Sequence, residues 1–198
     1  MSAPSVLIAG FEPFGGDERN PSGELALEIA AAHTLKARVQ GHALPVVFQE
    51  ASRRIQSLIK RDEPEIALLT GLAAGSSALA LERVGVNYFH EGEHRDEKII
   101  LDAPDAYFSP FPVTQLVEAL RSEGVPARAS LSAGSYCCNE VLFAGLHTAA
   151  SLGLKTRVGF VHLPYLPKQA EGRGVDSMPR ALQRKGLELI LARLLGAG

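Results

Sequence analysis

The sequence predicts an α/β protein, specifically a three-layer α/β/α sandwich with a mostly parallel, mixed sheet. Short apolar runs of strand length alternate along the chain with segments whose apolar residues recur at helical spacing. The 19 Gly and 12 Pro residues are enough to punctuate the connections between them. No repeat, low-complexity tract or linker divides the 198 residues, so we expect one domain over residues 1–198.

Each strand is predicted from a short apolar or extended run bounded by turn residues. The predicted strands are residues 6–11, 38–47, 66–70, 81–88, 127–131 and 157–163. Such strands, separated by helices, place a ligand site beyond the carboxyl ends of the strands.

The helices are predicted from caps and from apolar spacing. Asn20 followed by Pro21 is typical of a helix N-terminus. Residues 141–152 are apolar almost all round, which predicts a buried helix. Three further helices are marked by apolar residues at helical spacing, and these are Phe48, Ala51, Ile55, Leu58 and Ile59, then Val113, Leu116, Val117 and Leu120, and last Leu187, Ile190, Leu191, Leu194 and Leu195. The charged segment 91–98 shows no periodicity and is predicted to be a mobile loop.

Composition excludes two classes of protein. With 20 Lys and Arg against 22 Asp and Glu, the net charge of -2 lacks the basic surplus that nucleic-acid binding needs. The longest stretch without charge, residues 66–81, is interrupted by Gly and Ser and is shorter than the ~20 apolar residues of a membrane span. Residues 1–10 carry no export signal, so a cytoplasmic location is predicted.

Two adjacent cysteines are the candidate nucleophiles. Neighbouring cysteines do not form an ordinary disulfide without backbone strain, so Cys137 and Cys138 are expected to be free thiols. Cys138 follows a turn of small residues and precedes the buried helix, where the peptide dipoles favour a thiolate and lower its pKa. The alternative is that the thiol only packs in the core.

His162 and Glu82 are the candidate partners of that thiol. His162 ends an apolar strand just before Pro164, which places an imidazole at the carboxyl edge of the sheet. A thiol and an imidazole at two different strand ends form the arrangement of a nucleophile and its base. Glu82, which we expect near the start of a strand, would orient the imidazole. The alternatives are a core histidine satisfied by hydrogen bonds and a surface Glu82 paired with Arg83.

A zinc hydrolase is a competing hypothesis. His90, Glu91 and His94 satisfy the H-E-x-x-H pattern, in which two histidines one helical turn apart bind zinc. That chemistry needs a stable helix, whereas Gly92 lies at the centre of a polar stretch with no apolar face and no third ligand follows. The segment is therefore expected to be a solvated loop that binds no metal.

Phe11 and Phe14 are candidate substrate-binding residues. Both lie in a Gly-containing segment at the carboxyl end of the first strand, and the spacing of this segment matches no phosphate-binding motif. Exposed at a strand's carboxyl end, they would form an apolar clamp for a small, uncharged, cyclic ligand. The alternative is a loop that folds both aromatics onto the core.

Four segments, in order, closely resemble the pyroglutamyl peptidase I family, also called pyrrolidone carboxyl peptidases. They are Gly-Phe-Glu-Pro-Phe-Gly-Gly-Asp at 10–17 with Asn-Pro-Ser at 20–22, Glu-Arg-Val at 82–84 with Asn87, Ser-Ala-Gly-Ser-Tyr-Cys-Cys-Asn at 132–139, and Gly-Phe-Val-His-Leu-Pro at 159–164. The segment 103–110 adds a further match, so the resemblance spans nearly the whole chain.

The resemblance implies a cysteine omega-peptidase that removes an N-terminal pyroglutamyl residue through a thioester acyl-enzyme. The family's catalytic Glu, Cys and His fall on Glu82, Cys138 and His162, and its two pocket phenylalanines fall on Phe11 and Phe14. The resemblance also implies that no cofactor or metal is needed and that the protein is a homo-oligomer, commonly a tetramer.

The chain departs from the family pattern in two places. Leu72 and Ser76 replace a Gln and an Arg that are frequent in the family's Gly-rich loop, and residues 88–97 replace a longer segment that contains an arginine. Arg95 is the one arginine in that replacement. A weakly catalytic or non-catalytic binder of pyroglutamyl peptides is therefore a further alternative.

Overall fold

The structure is a computed structural model that describes residues 3–196. Its ten strands are β1 (Ser5–Phe11), β2 (Arg38–Leu44), β3 (Ile66–Leu72), β4 (Leu79–Glu82), β5 (Val84–Val86), β6 (Phe89–Glu91), β7 (His94–Glu97), β8 (Ala106–Phe108), β9 (Ala127–Ser130) and β10 (Arg157–Leu163). Its six helices are α1 (Pro21–Ala32), α2 (Glu50–Asp62), α3 (Val113–Ser122), α4 (Cys137–Ser151), α5 (Pro167–Ala170) and α6 (Arg180–Leu194).

The central sheet has six strands in the order β2-β1-β3-β10-β4-β9. Neighbouring strands from β2 to β10 are parallel, whereas β4 is antiparallel to β10 and parallel to β9. The predicted mostly parallel, mixed sheet is therefore confirmed. Because β4 and β9 run against the other four strands, Glu82 lies beside Phe160 in the middle of β10 and not at the carboxyl edge.

Helices cover both faces of this sheet and form the two outer layers. On one face, side chains of α1, α3 and α6 pack against alternate strand residues such as Leu68 and Val161. On the other, α2 and α4 pack against the intervening residues, such as Leu69 and Phe160. Successive strand residues point to opposite faces, so His162 shares the α2 and α4 face with Phe160.

The predicted cap of α1 is confirmed in detail. Asn20 Oδ1 accepts a hydrogen bond from the Ser22 backbone amide at 3.1 Å, which satisfies one of the unpaired donors of the first turn. Asn20 Nδ2 donates to the Glu12 carbonyl at 3.0 Å. The cap therefore ties the start of α1 to the loop that follows β1.

The predicted strand over residues 81–88 is wrong in extent. The chain breaks at Arg83 into β4, which belongs to the central sheet, and β5, which pairs antiparallel with β8. Glu82 therefore ends a strand instead of beginning one. Neither β8 nor the four-residue helix α5 was predicted, because three or four residues are too few for periodicity to show.

The predicted mobile loop over residues 91–98 is also wrong. This segment forms most of a hairpin in which β6 and β7 pair antiparallel around Gly92. Gly92 has a φ of 60°, which a glycine adopts without strain. Within residues 3–196, no helix is long and apolar enough to cross a membrane.

Candidate active site

A carboxylate and an imidazole meet on the sheet face covered by α2 and α4. His162 Nδ1 lies 2.8 Å from Glu82 Oε1, and the side chains are 11% and 1% exposed. Strand pairing sets this contact, because His162 lies opposite Ala80 and Glu82 lies opposite Phe160 on the same face. The predicted pairing of Glu82 with a histidine is therefore present, and Glu82 is not a surface residue.

The hydrogen bond determines which imidazole nitrogen is available for chemistry. A carboxylate only accepts hydrogen bonds, so Nδ1 of His162 carries the proton that is donated to Glu82. The other nitrogen, Nε2, is then free to accept a proton in the neutral ring. The Phe160 ring, whose centroid is 4.8 Å from that of the imidazole, packs beside it.

Cys138 lies over the same part of the sheet. It is the second residue of α4, and a Cβ atom placed on Gly71 would lie 2.6 Å from its Sγ atom. Gly71 is the strand partner of His162. The same Cβ would lie 2.7 Å from Cζ of Phe160. Cys138 and His162 are 24 residues apart in the sequence, and both are neighbours of Gly71 in the fold.

Burial controls the protonation of the thiol. It raises the pKa of Cys138 above the ordinary cysteine value, and the nearby Cys137 and the Glu82 carboxylate raise it further. The prediction that the N-terminus of α4 lowers this pKa is wrong, because desolvation penalises the thiolate. Burial therefore favours the thiol form of Cys138, and a base is needed to make it a nucleophile.

Cys137 lies in a different environment. Its side chain is 1% exposed and belongs to the apolar cluster between the sheet, α2 and α4. Burial, and secondly the Glu140 carboxyl, raise its pKa to about 12. Cys137 is thus a core residue, whereas Cys138 is only partly buried.

Asn139, which the sequence analysis did not single out as functional, fixes the start of α4. Its Oδ1 accepts from the Val86 amide at 2.9 Å. Its Nδ2 donates to the carbonyls of Val86 and Tyr88 at 2.9 and 2.8 Å. The only feature of the sequence that could have indicated this role is that Asn139 directly follows the two cysteines. Tyr136 provides no side-chain cap, so the first-turn amides of α4 remain uncapped beside Cys138.

The two phenylalanines are not both exposed. Phe11 ends β1 and is 3% exposed, with its side chain in the core on the α2 and α4 face. The expectation that it is exposed is wrong, because its side chain packs into the core on the α2 and α4 face. Phe14 lies in the following turn and is 40% exposed.

The H-E-x-x-H residues do not form a helix. His90 lies in β6 and His94 in β7, and their Nδ1 atoms face Asp96 Oδ1 at 3.2 Å and Glu97 Oε1 at 3.0 Å. In the part of the chain that the structure describes, no three His, Cys, Asp or Glu side chains are grouped as metal ligands. The hairpin therefore lacks the geometry of the zinc motif. Arg95 lies exposed in β7.

A thiol at a helix N-terminus, an imidazole and a buried carboxylate on one face of a mostly parallel sheet define a cysteine hydrolase of the α/β class. The model of the pyroglutamyl peptidase family matches residues 4–192. The chain therefore belongs to the pyroglutamyl peptidase family.

Relatives and solved structures agree with this assignment. A pyrrolidone-carboxylate peptidase of Pyrococcus furiosus is 40% identical over 171 residues, which are 83% of this chain and 82% of that protein. One from Streptomyces coelicolor is 37% identical, covering 94% of this chain and 90% of that protein. The crystal structure of the pyroglutamyl peptidase I from Bacillus amyloliquefaciens superposes with a TM-score of 0.93 at 28% identity, over 98% of this chain and 96% of that one.

Proposed function

We propose that the protein removes N-terminal pyroglutamyl residues from peptides and that Cys138, His162 and Glu82 carry the reaction. The observation that supports these roles best is the hydrogen bond of 2.8 Å between His162 and buried Glu82. In the neutral ring, that bond makes Nε2 of His162 the acceptor nitrogen, on the face where Cys138 packs against Gly71. A base beside a protonated thiol is what nucleophilic catalysis by cysteine requires.

The reaction starts when Cys138 Sγ attacks the exocyclic carbonyl carbon of the pyroglutamyl residue. His162 Nε2 takes the thiol proton as the S–C bond forms, and Glu82 stabilises the resulting imidazolium. The uncapped amides at the start of α4 donate hydrogen bonds to the oxyanion.

The acyl-enzyme forms when the peptide leaves. His162 donates its proton to the departing amine as the C–N bond breaks, and a thioester to Cys138 remains. Water then attacks the thioester, with His162 Nε2 taking the water proton and returning it to the thiol. Free pyroglutamate is released and the enzyme regains its starting state without a cofactor.

The substrate is selected because its first residue has no charged amino group. A pyroglutamyl residue is a lactam with no charged amine, so it enters an apolar site that an ordinary N-terminus enters only at a high desolvation cost. In this proposal Phe14 supplies the exposed aromatic surface for the lactam ring and Phe11 forms the floor behind it.

The decisive experiment compares two cysteine variants on a pyroglutamyl chromogenic amide. Cys138→Ser should lose activity by ~1000-fold or more, because the covalent route is removed. Cys137→Ala, which removes the buried neighbour without adding a hydroxyl to the core, should stay active. Equal activity of the wild type and Cys138→Ser would overturn the mechanism.

The same assay separates the two alternatives. Iodoacetamide should abolish activity and a metal chelator should leave it unchanged, whereas a zinc hydrolase built on His90, Glu91 and His94 would show the reverse. A binder without turnover would retain affinity for pyroglutamate and release no product.

We also propose that residues 1–198 form one catalytic domain, since both apolar clusters pack on the same central sheet. Met1, Ser2, Ala197 and Gly198 lie outside the described residues.

A cytoplasmic location is supported by the free thiols of Cys137 and Cys138, which a reducing compartment preserves. A homo-oligomer is supported by Leu101 and Phe108, which are 80% and 76% exposed, and sedimentation would measure its size.

A further inference from the structure

The loop between β1 and α1, which carries Phe14, has little packing of its own at its tip. Phe14 is 40% exposed. A Cβ atom placed on Gly15 or Gly16 would have no atom within 4 Å, and both glycines have positive φ values of 62° and 85°. Burial therefore does not fix the position of this tip, and other contacts must do so.

Asp17 provides the main contact. Its backbone amide donates to the Phe14 carbonyl at 3.1 Å, so the two residues belong to one turn. Its carboxylate binds Arg173 through both oxygens, with Nη2 on Oδ1 and Nη1 at 3.5 Å from Oδ2. The carboxylate is only 13% exposed. The ion pair therefore joins the Phe14 turn to the segment that follows β10.

Arg173 has a second partner besides Asp17. Its Nη1 donates to Tyr165 Oη at 2.9 Å, and its guanidinium carbon lies 5.1 Å from the centre of the Tyr165 ring. Two acceptors and an aromatic ring restrict this side chain far more than a single surface carboxylate would.

Hydrogen bonds hold the backbone on both sides of Tyr165. Its carbonyl accepts from the Met178 amide at 2.9 Å. Gln183, which is fully buried, donates to the carbonyls of Pro164 and Met178 at 3.0 and 2.9 Å. Tyr165 also follows His162 by three residues, so this hydrogen-bonded segment directly continues β10, the strand that carries the imidazole.

The Phe14 turn and the segment that follows β10 do not pack closely against each other. A cleft of about 380 Å³ lies between them, lined by residues from Gly16 to Arg19 and by residues from Leu166 to Arg173. Apart from the ion pair, Gln169 Nε2 donates to the Arg19 carbonyl at 3.0 Å. Of these two contacts, the Asp17–Arg173 ion pair is the nearer to Phe14 along the chain.

We propose that Arg173 is a positioning residue for substrate binding, which holds the Phe14 turn over the site through Asp17. This inference rests on the proposed function, in which Phe14 contacts the pyroglutamyl ring. Cys138, His162 and Glu82 lie on α4, β10 and β4, which the ion pair does not touch. Loss of Arg173 therefore weakens substrate binding and leaves the chemical step in place.

The test compares Arg173→Gln, Asp17→Asn and the double variant on a pyroglutamyl chromogenic amide. We expect KM to rise about tenfold in each single variant with kcat within about twofold, because uniform binding is lost. The double variant should resemble the single ones, since the two changes remove the same ion pair. Arg184→Gln is the matched control, because Arg184 pairs with Glu28 and Glu188 away from the loop.

Two further readouts separate positioning from general stability. Hydrogen exchange of residues 12–19 should accelerate in Arg173→Gln, and the rate of Cys138 alkylation by iodoacetamide should stay unchanged. The exchanged pair Asp17→Arg with Arg173→Asp should recover part of the lost affinity.

An active Arg173→Gln with wild-type KM and wild-type exchange would overturn the inference. A wild type that releases no pyroglutamate would instead contradict the proposed function, and the exchange measurement would still test the ion pair.

Discussion

The Cys138 thiol occupies the space that a side chain at Gly71 would fill. A Cβ atom at residue 71 would lie 2.6 Å from Sγ of Cys138, which is closer than real Cβ contacts come. Gly71 is also the strand partner of His162. The lack of a side chain at this residue therefore lets α4 approach the sheet closely enough to bring its thiol beside the imidazole.

Gly71→Ala should displace the thiol and slow the reaction. A shift of ~1 Å in a reacting group costs on the order of 100-fold in rate, so kcat/KM should fall by about that factor. The clash with Phe160 should also lower the free energy of unfolding by about 1–3 kcal/mol. Enzyme kinetics and urea unfolding measure the two effects.

Gly145→Ala is the control for that variant. Gly145 lies in α4, two turns after Cys138. The change adds the same methyl group there, and the nearest atom to the new Cβ is Cγ1 of Val158 at 3.2 Å. We expect it to keep its activity. A folded Gly71→Ala with full activity would show that Cys138 does not react from this location.

Glu82→Gln should lower kcat while the protein stays folded. The amide keeps the shape of the carboxylate but loses the charge that orients His162 and stabilises its imidazolium. A loss on the order of 10³–10⁴-fold in kcat is expected from this role. Glu118→Gln, a change on the exposed side of α3, provides the comparison. If both variants turned over substrate equally fast, Glu82 would have no part in the reaction.

Phe11 and Phe14 should respond differently to truncation. Phe14→Ala removes an exposed side chain, so KM for a pyroglutamyl amide should rise while the free energy of unfolding changes by less than about 0.5 kcal/mol. Phe11→Ala empties a buried site and should cost about 3–5 kcal/mol of stability. Thermal unfolding and steady-state kinetics distinguish the two. A Phe14→Ala variant with unchanged KM would remove that residue from the substrate site.

Glu140 should make stability depend on pH. This fully buried carboxyl on α4 accepts from the Gln49 amide at 2.6 Å, and it faces Ser52 and Cys137 with Arg53 nearby. Burial raises its pKa above the ordinary glutamate value despite these partners. The folded chain thus holds this proton more tightly than the unfolded chain does.

The contribution of Glu140 to stability is therefore greatest below the ordinary glutamate pKa and is lost as pH rises through the raised pKa. Compared with Glu140→Gln, which does not titrate, the wild type should lose stability as the pH rises above the ordinary glutamate pKa of about 4.3. Urea unfolding of both proteins across that range measures the difference. A difference that grew in favour of the wild type with rising pH would mean that the pKa is lowered.

The sequence predicted the layers of the fold because the buried strands and helices carry strong apolar patterns. It failed where few residues or charged residues form the element. The hairpin of β6 and β7 is mostly polar, so its backbone pairing leaves no alternation of apolar and polar side chains to detect. The break at Arg83 was hidden because β5 and, apart from Glu82, β4 consist of apolar and small residues, although the two strands belong to different sheets.

The candidate site shows the same division. The positions of Cys138 before a buried helix and of His162 at a strand end could be predicted from local signals. The direction of β4 could not, and it is this direction that brings Glu82 to the middle of β10. Nor could the sequence show that burial, Cys137 and Glu82 raise the pKa of the Cys138 thiol.

The burial of α4 has a practical consequence. Of its 15 residues, 11 are buried, and the helix is enclosed by the sheet, by α2 and by the short strands β5 and β8. This packing couples α4 to the core, so we expect the proposed nucleophile at its start to keep its surroundings for as long as the core stays folded. Residual turnover after heating then counts intact molecules, which makes a colorimetric assay a gauge of the surviving population.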